Sequence, residues 1–404
     1  MDLRFSILVP TRQRPDTLLA TLATLSWQTG DDYEIVVADN YGDEEVAAVI
    51  NAVQQRHPRV KHLRSDRVLP MAVNWERGLA ACSGEYVSVL GDDDGLLPST
   101  LDIVRGFIAA TDAKVIAWEC HTYWWPDTIV YWHRNRLYLS LGNNEWGWID
   151  SRAALVETYR DARSFGDLPM IYNGFVHRDI INAVIDRFGA YFVPADMAPD
   201  LASGIINLAH TSRYLYSRRP LAIRGNSRRS TGTSFWARSL GKEQQTIYQR
   251  EEGKTLEQLT HPSMNASANA GFVVATNKLH LKDLLFPHDN GLKIDLGALV
   301  KDTLAALNDD SEAYDDNLAD ALRLAEMLGI TVDPKTIPAK APSIRKALQG
   351  PAGSGANLSV GVNCNLANVF DVAGAARLAE AMSSAVRVQV PHPAIVVDAA
   401  RRAG

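Results

Sequence analysis

The chain is poor in cysteine: Cys82, Cys120 and Cys364 are its only three in 404 residues, far apart and odd in number. No disulfide framework or zinc-binding spacing can be built from them. No apolar run approaches the ~20 residues that span a bilayer, so no transmembrane helix is expected. The opening MDLRFSILVPTRQRP has one short apolar stretch and lacks the layout of a secretory signal. A cytoplasmic protein is the expectation, with peripheral membrane contact left open. Positive charge is not in excess, since the net charge is −6, which speaks against general nucleic-acid binding. What is present is ordinary globular material, 46% hydrophobic and 22% charged, enough for two domains or one large domain with an extension.

The first third alternates strand and helix. Phe5 to Val9 reads as a strand closed by Pro10, and the polar loop Thr11 to Pro15 follows. Asp16 can cap a helix in which Leu18, Leu19, Leu22 and Leu25 recur at helical spacing. Glu34 to Ala38 is a second strand ending at Asp39-Asn40, and Glu44 to Arg56 is helical in pattern. Val60 to Leu63, a helix over 74–81, the apolar run Tyr86 to Leu90, a helix over 101–110 and a strand over 114–120 complete the series. Such alternation predicts an α/β fold with a mixed, mainly parallel sheet and helices on both faces. Ligands in these sheets bind at the carboxyl ends of the strands.

Three strand ends carry suitable polar residues. They are Thr11/Arg12/Arg14, Asp39/Asn40, and the run Asp92-Asp93-Asp94 in YVSVLGDDDGLL. Taken alone, three aspartates after Gly91 read as an acidic turn. At the end of a buried strand they are costly without a cation, and carboxylate oxygens suit Mg²⁺ or Mn²⁺. The convergence of three polar strand ends favours a site.

Further along, six of the nine tryptophans fall between Trp118 and Trp148. They can pack against sugar rings, or form an aromatic core or subunit contact. Asp200, after Pro199 and before an apolar helical pattern, is either a helix N-cap or a carboxylate aimed into a cleft. His210 nearby reads as structural. Leu221 to Ile223 is a short strand leading into RGNSRRSTGT (224–233), a loop able to wrap a diphosphate with backbone N–H groups and guanidinium forks, or simply an exposed loop. Beyond Leu240 the pattern is helical, with a linker at 343–356, an Ala-rich helix at 366–382 and a loose tail. The expected division is a domain over 1–235, in halves 1–117 and 118–235, and a mostly helical extension over 236–404. That extension suits homo-oligomerisation, acceptor shaping or docking.

FSILVPTRQRPDTLLATLATLSWQ, EIVVADNYGDE and LPMAVNWERGLAACSGEYVSVLGDDDG, in this order and spacing, resemble the family 2 glycosyltransferases of the GT-A fold. The resemblance covers the first ~100 residues closely and 118–233 loosely. It implies a nucleotide-diphospho-sugar donor, most often UDP-linked, and a cation, Mn²⁺ or Mg²⁺. Pro10, Thr11, Arg12 and Arg14 would border the nucleotide. Asp39 would accept from the base, and Asn74 and Arg77 would lie near the ribose or diphosphate. Asp92 and Asp94 take the metal places of the DXD motif, with Asp93 between them on the nucleotide-sugar. Many members carry aspartate where this chain has Gly91. Asp200 falls at the catalytic base, although Pro199 replaces the acidic residue that often precedes it. Some relatives supply a late histidine to the metal; a loop residue such as Asn226 would fill that role here. Arg228 or Arg229 would add charge at the diphosphate. Trp124, Trp125, Tyr172 and Asn173 are assigned to a saccharide or glycolipid acceptor.

This reading implies metal-dependent inverting transfer with Asp200 as general base. Two rivals compete with it. A sugar-phosphate nucleotidyltransferase normally has a Gly-rich loop after the first strand, and TRQRP has no glycine. A non-catalytic carbohydrate-binding protein on a degenerate transferase fold would not need the aspartates and Asp200 intact.

Overall fold

The structure, a computed structural model, describes residues 4–141, 144–192, 198–341 and 359–383. The linker read at 343–356, the tail after 383 and the start of the segment before Asp200 lie outside the described residues. The first half runs β1 (Phe5–Thr11), α1 (Pro15–Ser26), β2 (Tyr33–Asp39), α2 (Glu44–Gln54), β3 (Val60–Arg64), α3 (Met71–Ala81), β4 (Tyr86–Val89), β5 (Gly95–Leu96) and α4 (Thr100–Thr111). Next come β6 (Val115–Trp124), β7 (Arg136–Ser140), β8 (Trp146–Asp150), α5 (Ser151–Tyr159), β9 (Gly174–His177), α6 (Arg178–Phe188), α7 (Pro199–His210) and β10 (Arg213–Asn226). Helices α8 (Thr231–Trp236), α9 (Lys242–Glu252), α10 (Leu256–Leu259), α11 (Ala270–Leu285), α12 (Leu296–Ala305) and α13 (Tyr314–Met327) follow, then β11 (Ser359–Asn363) and α14 (Val372–Ser383).

One sheet holds the molecule together, in the order β11-β7-β6-β9-β4-β1-β2-β3, with β10 beside β6 and also paired to β5 and β8. Strands β3, β2, β1 and β4 are mutually parallel. Their interiors are apolar on both faces, as parallel strands covered by helices require: Ile7, Leu8, Val36, Val37, Val87 and Val89 are all buried. From β9 outward the pairing is mixed, with β10 the parallel partner of β6. The expected α/β architecture is therefore present, with parallel pairing in β3-β2-β1-β4 and again between β6 and β10. Asp16 does not cap α1: it lies in the first turn, behind Pro15.

The C-terminal part is mostly helical, as expected, and also contributes to the sheet. β11 pairs antiparallel with β7, which makes it part of the main sheet. Cys364, Val372, Ala375, Ala376 and Ala379 pack with Leu97, Tyr123, Trp125 and Ile223. Small residues on one face of α14 allow its close approach to α1. Asn135 fastens the return, donating to Val369 O (2.9 Å) and Asn365 Oδ1 (2.9 Å) while accepting from Tyr123 (2.7 Å). On the other side, Leu281 and Leu285 of α11 join the core that contains Trp75, Met170 and Ile205. Helices α11 to α13 also hold a core of their own around Phe272, Leu304 and Leu324. Among the described residues no helix is long and apolar enough to cross a membrane.

Ala376 is fully buried between the sheet and α1. Ala376→Glu leaves an unpaired charge there and is expected to cost about 3 kcal/mol or more in denaturant unfolding. A loss within the ~0.5 kcal/mol usual for surface changes would mean that α14 is an appendage.

Candidate functional site

The ends of β1 and β2 are in register, Thr11 opposite Asp39, and Asn40 N donates to Thr11 O at 2.9 Å. Asp39 has no exposed surface: it accepts from Gly42 N at 2.6 Å and pairs with His62 Nε2 at 2.9 Å. The base contact expected of Asp39 is therefore not one this conformation offers; the carboxylate shapes the turn after β2. Asn74 and Arg77 also depart from expectation. Asn74 donates to Ala38 O at 2.9 Å, and one Arg77 Nη2 serves Asp39 O, Leu63 O and Asn74 Oδ1 at 2.9–3.1 Å. Both tie α3 to the ends of β2 and β3 instead of facing a ribose or diphosphate. These backbone carbonyls at the strand ends offer acceptors to both side chains.

At the end of β4, Asp92, Asp93 and Asp94 are all buried. Asp92 accepts from Thr11 Oγ1 (2.7 Å) and from Arg14 Nη1 (2.9 Å). Asp93 accepts from both the amide (3.2 Å) and hydroxyl (2.6 Å) of Ser227, and its carbonyl accepts from Trp125 Nε1 (3.0 Å). Asp94 accepts from Gly225 N at 2.6 Å, from Asn173 Nδ2 at 3.3 Å and from the Tyr172 hydroxyl. A Cβ on Gly225 would lie 1.8 Å from Asp93 O, so only glycine lets the 224–227 loop close over the aspartates. Arg14 also donates to Arg229 O, and Arg229 Nη1 donates to Gln13 O at 2.5 Å. The loop after β1 and the loop after β10 thus meet above the carboxylates.

The absence of a side chain at Gly91 has a physical reason here. A Cβ at that position would lie 2.3 Å from the Tyr172 hydroxyl. Tyr172 stacks on Trp75, with centroids 5.8 Å apart and planes 8° from parallel, and fills the space an additional aspartate would take. Tyr172 and Asn173, assigned to the acceptor, are instead donors to Asp94. The Trp124 and Trp125 assignments are also corrected, because both rings are buried. Trp125 braces Asp93, and Trp124 stacks on His133 at 4.7 Å in a small core with Val130 and Tyr138.

Asp200 occupies the second position of α7, behind Ala198 and Pro199, so it is not the N-cap. It is partly buried, and burial raises its pKa against the pull of the Leu201 N–H. It shares the electrostatic surroundings of Tyr172 with Asp93 and Asp94. Arg224 lies within electrostatic reach of both Asp94 and Asp200, and donates to Gly166 O at 3.4 Å. Sequence reading took Arg228 and Arg229 from this loop and passed over Arg224. The strand register places it: Arg224 is still inside β10, opposite Thr122 of β6. Arg228 and Arg229 are exposed. Arg12 is ion-paired with Glu251 of α9, and burial, then Arg250 and Arg229, lower its pKa.

Burial, added to the charge of Asp93, pushes Asp94 up to about 7. Burial also raises Asp92, despite Arg14 beside it. Arg14 itself stays charged: burial opposes this, but Asp92 and Asp93 raise its pKa. The site therefore holds more negative charge than its one close arginine offsets. Asn173 Oδ1, next to Asp94, is buried with no hydrogen-bond partner among the described residues. Oxygen donors with uncompensated charge fit a hard divalent cation. Among the described residues no three His, Cys, Asp or Glu side chains converge to hold a metal ion by themselves. The fit is thus to a cation that completes its shell from a ligand or water.

Residues 6–162 match the family model described as Glycosyl transferase family 2. A GalNAc(5)-diNAcBac-PP-undecaprenol beta-1,3-glucosyltransferase of Campylobacter jejuni is 31% identical over 99 residues, 24% of this chain and 32% of that protein. The match thus spans about a third of that relative's length. Among solved structures, S. aureus TarS 1-349 in complex with UDP-GlcNAc aligns at a TM-score of 0.42 and 15% identity, covering 80% of this chain and 84% of that one. The mannosyltransferase PcManGT from Pyrobaculum calidifontis, in complex with GDP-Man and Mn2+, aligns at 0.40 and 14% identity, covering 81% and 87%.

An ordinary aspartate ionises near ~3.9, so a folded pKa of about 7 favours the folded state while Asp94 is neutral. That contribution is complete below the unfolded value and is lost as pH rises through about 7. In chelator, unfolding free energy is expected to fall by on the order of 2 kcal/mol between pH 5.5 and 7.5, and Asp94→Asn should flatten the slope. An unchanged slope in the variant would show that Asp94 does not carry this charge cost.

Proposed function

From the match of residues 6–162 to the glycosyl transferase family 2 model, we propose that the chain is a metal-dependent, inverting glycosyltransferase. It moves a sugar from a nucleotide-diphospho-sugar, UDP-linked in the first instance, to a hydroxyl of a saccharide or glycolipid. One observation carries the reading: Thr11, Arg14, the three aspartates, Tyr172, Asp200 and Arg224 come together in one charged cluster beyond the end of β4. The curated relative is named for a saccharide on a diphosphate lipid, which supports a glycolipid acceptor and work at a membrane surface.

Pro10, Thr11 and Arg12 border the nucleotide in this proposal, and Asp93 lines the nucleotide-sugar. Arg228 and Arg229, exposed on the loop above, reach the diphosphate. Asp94, with Asp92, would hold Mn²⁺ or Mg²⁺. When bound, the cation offsets charge on the departing nucleoside diphosphate. Asp200 takes the proton from the acceptor hydroxyl, and its raised pKa suits that work. The acceptor oxygen bonds to the anomeric carbon as the bond to the diphosphate oxygen breaks, and the electron pair leaves with the nucleotide. Attack from the opposite face inverts the centre, and a single base suffices. Arg224, between Asp94 and Asp200, steadies both carboxylates.

Asp200→Asn is expected to lower kcat by roughly 10²-fold or more while nucleotide-sugar affinity stays within about twofold in titration calorimetry. Equal loss of both would remove Asp200 from the base role. EDTA is expected to abolish transfer, with recovery on adding Mn²⁺ or Mg²⁺; transfer that persists in chelator contradicts the metal assignment. In a thermal-shift series with Mn²⁺, stabilisation by one of UDP, GDP or TDP identifies the donor class. No shift with any of them, together with no release of nucleotide from its sugar, would leave a carbohydrate-binding role instead.

A further inference from the structure

We infer that two segments tied to the aspartates form a subsite for a saccharide, in which Trp132 and Trp236 take the faces of acceptor sugar rings. The inference rests on the glycosyltransferase reading and names the acceptor side of the same site. Most of the tryptophan-rich segment is core, but not all of it. Trp236 is 74% exposed and Trp132 36%, with Tyr131 at 39% set edge-on to Trp132 at 4.8 Å. A tryptophan left this open forgoes the gain of burial, which a covering ligand restores.

Both loops are continuous with the aspartates. Trp125, at the start of the first, donates to Asp93 O at 3.0 Å. Ser227, at the start of the second, donates to the Asp93 carboxylate at 2.6 Å. The loops are joined to each other where Arg228 N donates to Asp127 Oδ1 at 3.4 Å. They also share one support: Val130 and Ala237 pack into the cluster of Trp124 and Tyr138. Within it His133 stacks on Trp124 and pairs with the Tyr138 hydroxyl at 2.7 Å. Tyr131 and Trp132 directly follow Val130 of this cluster, and Trp236 directly precedes Ala237.

The chemistry around these rings is that of a sugar. A pyranose has an apolar C–H face and an edge of hydroxyls; the indoles meet the face, and the exposed Asp127 meets the edge. Trp146, also exposed at 39%, packs beside Phe107 at 5.5 Å on β8 and provides a control away from the cleft.

The test uses the full chain with UDP and Mn²⁺ and three probes: maltotriose, cellotriose and triacetylchitotriose, read by saturation-transfer NMR and tryptophan fluorescence. At least one is expected to bind. Trp132→Ala and Trp236→Ala should each weaken it by roughly tenfold, and Trp146→Ala by less than about twofold. The UDP thermal shift should be the same in all four proteins. No binding by any trisaccharide, or binding that both variants leave unchanged, overturns the subsite. Absence of a shift with UDP, GDP and TDP in the wild type would instead overturn the glycosyltransferase reading, and the saccharide titration is read independently of it.

Discussion

Three adjacent carboxylates under cover are the constraint to which this structure answers. Taking charge out of water costs several kcal/mol per ion unless donors or opposite charge replace the lost hydration. The chain supplies Thr11, Arg14, Ser227, the Gly225 amide, Asn173 and Tyr172 to this end. They come from the ends of β1 and β10 and from the residues just before β9, so three separated parts of the chain must arrive together. Compensation is incomplete, as the raised pKa of Asp92 and Asp94 shows, and the shortfall suits a cation and its diphosphate.

That constraint orders the surroundings. Gly225 carries no side chain because the loop must touch Asp93, and Gly91 none because Tyr172 occupies the place. Trp125 holds the Asp93 carbonyl, and the α14 alanines pack against Trp125 in turn. Residues near the C-terminus thereby support a site formed near the N-terminus. Asp39, Asn74 and Arg77 make the frame on the other side, joining β2, β3 and α3 through backbone carbonyls.

Much of the fold was legible in the linear pattern. Apolar runs of four to seven residues, each ended by polar or turn residues, marked β1, β2 and β4, because a strand buried on both faces has no polar alternation to hide it. Helices α2, α4, α11, α12 and α13 followed their periodicity to within a few residues. The aspartate run and Asp200 were legible as types and order. β11 was not: a five-residue strand whose partner lies more than two hundred residues earlier leaves no local trace. Nor was the role of Trp124 and Trp125, since a tryptophan meant for a sugar and one meant for a core look alike in sequence.

The sequence by itself determined the parallel strands and the polar, carboxylate-rich residues at their ends, because these follow from local hydrophobic period and from the residues that end each run. Tertiary structure alone decided which polar side chains face the cleft. Asn74 and Arg77 turned to the carbonyls around them, Tyr172 and Asn173 turned to Asp94, and Arg224 came in from β10. The reason is the same in each case. A buried donor takes the nearest unsatisfied acceptor, and which acceptor is nearest depends on packing between segments far apart in the chain.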